Sequence, residues 1–190
     1  MALTESTMVE LGSAAPAFTL PDTVSGSSVS FDSVAGEQGT LVMFICAHCP
    51  FVIHVQDELA RIGRDYSDKP VGIVAISAND AETHPQDAPE NLKKMAESLG
   101  FAFPYCHDES QAVAQAYGAA CTPDFFLFDG AGKLAYRGQL DGSRPGNQEA
   151  PNGKDLRAAI DAVLAGQAVT TAQRPSVGCN IKWRAGKGPA

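Results

Sequence analysis

Residues 41–45, Leu-Val-Met-Phe-Ile, form an unbroken apolar run of strand length. Such a run fits a strand buried on both faces of a sheet rather than one with a wet side. A second run of this kind spans 72–76. Between the two, Phe51, Val52, Val55, Leu59 and Ile62 recur at helical spacing behind Pro50. Proline is favoured at the first helical position, so the helix is expected to begin around Cys49 and Pro50. A further helix is expected over 89–99, stopped by Gly100, followed by a short strand at 101–103. Asp108 with Gln111 three residues on reads as a capping box for a helix ending near Gly118.

Two more apolar segments, 124–129 and 133–137, flank Gly130-Ala-Gly132 and read as a β-hairpin. The last helix follows Asn152 and Gly153, with an apolar stripe of Leu156, Ile160, Val163 and Leu164 closed by Gly166. Near the start, an extended piece over 12–20 and a Ser/Gly-rich turn lead to a short strand at 29–31. The order of elements predicts an α/β fold, one mixed sheet covered by helices on both faces. Residues 1–10 are expected to be a mobile arm, 11–166 the folded domain, and 167–190 an irregular tail.

Composition narrows the function classes. The 190 residues suffice for one domain with a sizeable core. Acidic residues number 22 and basic residues 14, a net charge of −8, which argues against a nucleic-acid footprint. No apolar run approaches the roughly 20 residues needed to cross a bilayer. The first ten residues carry two Glu and no Lys or Arg, unlike a secretory signal. A cytoplasmic protein without membrane or nucleic-acid partners is expected.

The five cysteines, Cys46, Cys49, Cys106, Cys121 and Cys179, are too few for a disulfide scaffold. Cys46-Ala-His-Cys49-Pro50 is the informative segment. A buried strand delivers two thiols to the start of a helix, where free N–H groups stabilise a thiolate. Two intervening residues let the sulfurs close a small disulfide ring, so one thiol can attack a substrate disulfide and the other resolve the intermediate. Protonated His48 would lower a thiol pKa further. Inert core cysteines are the bland alternative. Zinc is another, but one CxxC supplies two ligands, and His48 and His54 are poorly placed to close a tetrahedral site. No metal or organic cofactor is expected.

The element order, the CxxC at the first main helix and Cys121-Thr122-Pro123 ahead of the hairpin resemble the thioredoxin-like fold. The N-terminal Ala-Pro-Ala-Phe-Thr-Leu, the insertion between Ala78 and Leu99, and Phe103-Pro-Tyr-Cys-His-Asp108 resemble its peroxiredoxin-like redoxin branch, the alkyl hydroperoxide reductase and thiol-specific antioxidant family. The resemblance covers residues 10 to 165. It implies that Pro123 is cis beside the CxxC and that Thr122 offers its backbone to a substrate. It also departs from true peroxiredoxins. Their Pro-x-x-x-Thr-x-x-Cys signature, aligned on Cys49-Pro50, finds Val42 and Cys46 at the Pro and Thr positions. Their arginine is missing near Pro123, with Arg137 or Arg144 as possible substitutes, and Ile45 stands where thioredoxins carry Trp.

The resulting expectation is a thiol–disulfide oxidoreductase. Cys46 is the exposed attacking thiol, Cys49 resolves, and Thr122, Pro123 and His48 shape the substrate groove. Thioredoxin or glutathione supplies electrons, and the substrate is a protein or small-molecule disulfide. The alternatives are a thiol peroxidase with Cys49 as peroxidatic residue, and a redox switch or partner-binding protein without turnover. Cys121 is a third redox thiol or a small apolar filler. Cys179 resolves a sulfenic acid, pairs with Cys121 or with another chain, or packs as an anchor for the tail beside Trp183.

Overall fold

The structure is a computed structural model, described here for residues 3–170 and 172–188. In chain order the elements are β1 (Leu3–Glu5), β2 (Thr19–Pro21), β3 (Ser28–Ser30), α1 (Phe31–Val34), β4 (Gly39–Phe44), α2 (Pro50–Asp65), β5 (Val71–Ser77), α3 (Pro89–Leu99), β6 (Tyr105–His107), α4 (Ala112–Tyr117), β7 (Cys121–Thr122), β8 (Asp124–Asp129), β9 (Leu134–Gly138), α5 (Lys154–Leu164) and β10 (Val177–Asn180). A 3₁₀ turn, Pro85–Asp87, precedes α3.

Five strands make the central sheet in the order β6-β5-β4-β8-β9. The β4–β5 and β5–β6 pairs are parallel, and β4–β8 and β8–β9 are antiparallel. The central strand β4 is buried along its whole length. Its side chains alternate between two cores, as the pleat requires. Leu41, Met43 and Ile45 join Phe125 and Leu127 of β8 in the core under α2, α3 and α5. Val42 and Phe44 join Phe126 and Phe128 in the core under α4 and the β2–β3 hairpin. Burial on both faces is therefore the reason these strands read as continuous apolar runs. The apolar stripes of α2 and α5 face the first core through Val52, Val55, Leu59, Ile62, Leu156, Ile160 and Val163.

The mixed α/β sheet, the N-terminal hairpin and the main helices follow the expected plan. Four local expectations are corrected. Leu3–Glu5 is a strand paired with β10, in place of a mobile arm. The tail likewise holds β10, which lies between β1 and β7 in a second, three-stranded sheet. The strand expected at 101–103 falls at Tyr105–His107. Phe101 and Phe103 instead stack ring on ring at 4.6 Å, with Phe103 packed against Gly63 of α2. The Asp108–Gln111 capping box does not close: Asp108 accepts from the Ala114 N–H, but the Gln111 side chain donates to the Ala78 and Lys182 carbonyls.

Gly178 lets β10 lie close against β7. A Cβ there would lie 1.9 Å from the Thr122 carbonyl oxygen, so only glycine lets β10 press onto the segment before Pro123.

Candidate functional site

The first core strand ends at Phe44, and Cys46-Ala-His-Cys49 forms the turn into α2. Cys49 is the N-cap residue and Pro50 opens the helix. Proline fits that position because its missing N–H would have no intrahelical partner. The Thr122–Pro123 peptide bond is cis, as the resemblance implied. It brings Thr122 over both sulfurs: the Thr122 hydroxyl is 3.4 Å from Cys46 Sγ, and the Cys49 thiol donates to the Thr122 carbonyl at 3.2 Å.

A third thiol joins them. Cys179 of β10 pairs in register with Thr122 and hydrogen-bonds the Cys49 sulfur. Cys121, also near the cis-proline, faces the other way, toward Ser6, Ser176 and the Pro123 carbonyl. Burial and the Asp124 carboxylate push its pKa up. Cys106 lies in the opposite core, and burial with the nearby Asp22 charge raises it to about 12.

The two CxxC thiols differ sharply. Cys49 is held well below the ordinary thiol value. The hydrogen bond from Cys46 is the largest cause; burial opposes it, and Cys179, Thr122 and the Val52 N–H add to the lowering. The start of the sixteen-residue α2 supplies the same sign of field. Cys46 is pushed well above the ordinary value, first by its bond to Cys49, then by burial and the Asp87 carboxylate. Cys46 was expected to be the exposed thiol. It is 1% exposed, and Cys49 is 0% exposed. The strand-to-helix turn folds under the Thr122–Pro123 segment, which covers both.

Asp87 is the residue that sequence reasoning missed. It is fully buried in the 3₁₀ turn. One oxygen accepts the backbone N–H groups of Ala47 and His48 at 2.8 and 3.2 Å. The other accepts from Asn79 at 2.7 Å and meets His48 Nδ1 at 2.6 Å. A carboxylate only accepts, so His48 Nδ1 carries a proton in this contact. Asn79 in turn accepts the Lys182 N–H, which ties the C-terminal segment to the same anchor. A lone acidic residue in a polar insertion gives no pattern that would have singled it out.

Among the described residues, Cys46, His48 and Asp87 are the group that could hold a metal, with one donor atom each inside 4.8 Å. All four N–H contacts of Asp87 would have to yield before it became a ligand, so the carboxylate serves better as an anchor for the loop.

The two arginines stand apart from the sulfurs. Arg137 is fully buried in a bidentate pair with Asp124 and also donates to Ser6 and the Phe125 carbonyl. Arg144 donates to the Asp141 and Ser143 carbonyls at 2.7 Å and to Gln139. Neither hydrogen-bonds Cys46 or Cys49 among the described residues. Arg144 does line a shallow cleft with Phe51, His54, Pro123, Ser176 and Val177, open beside the cis-proline. His48 is 22% exposed and stacks on His84.

The chain is similar to several known proteins. A protein of Geobacillus kaustophilus of uncharacterised function is 53% identical, with a TM-score of 0.95 over 97% of each chain. Thiol-disulfide oxidoreductase ResA of Geobacillus thermodenitrificans is 31% identical over 69% of this chain and 70% of its own. A candidate peroxiredoxin of Mycobacterium tuberculosis is 28% identical over 62% of this chain and 69% of its own. Solved thioredoxin-like structures share the fold. The Redoxin family profile matches residues 10–156, and the chain belongs to that thioredoxin-like family.

Proposed function

We propose that this redoxin is a thiol–disulfide oxidoreductase that cycles Cys46 and Cys49 between dithiol and disulfide. The observation that carries the reading is geometric: both sulfurs of the CxxC turn meet under one residue, Cys46 Sγ 3.4 Å from the Thr122 hydroxyl and Cys49 Sγ 3.2 Å from the Thr122 carbonyl. Cys49 is set up as a thiolate at a helix start, and Cys46 keeps its proton beside Asp87. This reverses the expected order of attack.

The Cys49 thiolate attacks a substrate disulfide R–S–S–R′. A Cys49–S–S–R bond forms, the S–S bond of the substrate breaks, and R′S⁻ leaves. Cys46 then attacks the Cys49 sulfur. The Cys46–Cys49 disulfide forms, RS⁻ leaves, and the Cys46 proton passes to a departing thiolate. The pair has given two electrons to the substrate, and a thiol reductant of the glutathione or thioredoxin kind restores it by the reverse exchange. In this reading the cleft beside Pro123, lined by Phe51, His54, Arg144, Ser176 and Val177, is the docking groove. Because both sulfurs lie beneath the surface, the Thr122–Pro123 segment must yield for a substrate to enter.

A thiol peroxidase is the second reading. The full burial of the Cys49 thiolate favours it, since a peroxide is small enough to reach a sulfur that a protein disulfide reaches with difficulty. Against it, Arg137 is paired with Asp124 and Arg144 with the Asp141 and Ser143 carbonyls, and among the described residues no arginine hydrogen-bonds either sulfur, while such chemistry depends on a donor to the departing oxygen.

Parallel assays on one preparation separate the readings. Dithiothreitol-driven insulin reduction should proceed at a rate that depends on this protein, and peroxide-dependent oxidation of the same reductant should stay near background. The opposite ranking would move the assignment to the peroxidase. Activity in neither assay would leave a non-catalytic redox switch.

A further inference from the structure

Cys179 takes part in no step described above, yet it completes the cluster. The Cα register of β10 against β7 sets it opposite Thr122. Thr122 contacts both other sulfurs, through its hydroxyl to Cys46 and its carbonyl to Cys49. Gly178 removes the one side chain that would hold β10 off this segment. Cys179 is 3% exposed and packs in the same core as Cys46 and Cys49. Three thiols from two segments, the turn into α2 and β10, thus meet around one residue, and Cys49 hydrogen-bonds both of the others.

We propose that Cys179 is a second resolving thiol, so that the Cys49 sulfur is shared between Cys46 and Cys179. The inference rests on the reading of Cys49 as the attacking thiolate. From the intermediate Cys49–S–S–R, Cys179 attacks the Cys49 sulfur. A Cys49–Cys179 bond forms, the bond to R breaks, and RS⁻ takes the Cys179 proton. Cys46 can then attack Cys49 in the same way, forming Cys46–Cys49 and returning Cys179 to the thiol. The second exchange is internal, with no net oxidation and no further reactant. Until attack, burial together with the Cys49 neighbour holds Cys179 at about 12, so it waits as a protonated partner. Its proton is delivered where a thiolate departs. Of the remaining cysteines, Cys121 makes its hydrogen bonds to Ser6 and to the Pro123 and Ser176 carbonyls, and Cys106 lies across the sheet.

The test uses Cys46→Ser, treated with oxidised glutathione, alkylated, and mapped by mass spectrometry without reduction. The expected main product is a Cys49–Cys179 disulfide, in at least about tenfold excess over the Cys49–glutathione adduct, because the internal thiol is already positioned. Cys46→Ser/Cys179→Ser should instead accumulate that adduct. If Cys46→Ser accumulates the adduct with Cys179 fully alkylated, the second resolving thiol is refuted while Cys49 as attacking residue stands. If Cys49 takes up no glutathione in either variant, both readings fall. Should the Cys46 variants not fold, acid-quenched wild-type protein carries the test. A Cys49–Cys179 link is expected there during oxidation, and its absence at every time point overturns the inference.

Discussion

Cys49→Ser is expected to abolish disulfide exchange, a loss of about 10³-fold or more, since the group that forms the first covalent bond is gone. Cys46→Ser should behave differently. It keeps the first attack and loses one resolving thiol, so turnover falls while covalent capture of a disulfide at Cys49 persists. The asymmetry follows from the site: Cys49 stands at the N-cap position of α2 and is hydrogen-bonded by Cys46 and Cys179, whereas Cys46 faces the Asp87 carboxylate. A thiolate absorbance band should accordingly be present at about pH 7, where an ordinary thiol of pKa about 8.5 is mostly protonated. It should vanish in Cys49→Ser. The sign is fixed by the lowered pKa: the band is lost as pH falls through that value, not as it rises. If Cys46→Ser removes the band and all covalent capture while Cys49→Ser retains them, the assignment of the two thiols is inverted.

Arg137→Ala should cost about 3–5 kcal/mol of stability, the usual effect of leaving a buried charge without its partner. Arg137 and Asp124 are both fully buried, and the guanidinium also lies over the Phe126 ring with its central carbon 3.8 Å from the centroid. Without it, Asp124 keeps only the Ser6 hydroxyl and the Ala120 N–H. Those two hold the N-terminal strand and the segment before Pro123, so the damage reaches the roof of the thiol site. Replacing both partners together, as Asp124→Leu with Arg137→Met, should recover much of the loss, because removing a buried pair whole is far milder than halving it. Urea unfolding of the two single variants and the double variant measures this. A loss below about 1 kcal/mol for Arg137→Ala, the range of an exposed pair, would contradict it.

The sequence disclosed the parts of the molecule that obey local rules. Leu41, Met43 and Ile45 alternate with Val42 and Phe44 into two cores, and that burial is written as an unbroken apolar run. Pro50 and the CxxC likewise announced the start of α2. What local rules do not encode is who faces whom across the fold. Leu3–Glu5 has no strand pattern of its own and becomes one by pairing with β10. Cys46 looks solvent-facing from its place before the helix, but the distant Thr122–Pro123 segment covers it. Arg137 read as a spare cation because nothing in its neighbourhood shows that Asp124 claims it. Asp87 and Cys179 reach the site through long-range packing alone.

The central claim is that Cys46 and Cys49 form a reversible redox couple. It is tested most directly by equilibrating the wild-type protein across a series of glutathione redox buffers, quenching with acid, alkylating and mapping the cysteines. Oxidation should link Cys46 to Cys49 in a single two-electron transition, and reduction should return both to alkylatable thiols along the same curve. Both thiols alkylated at every ratio, or Cys49 bridged solely to a cysteine other than Cys46, would contradict the account.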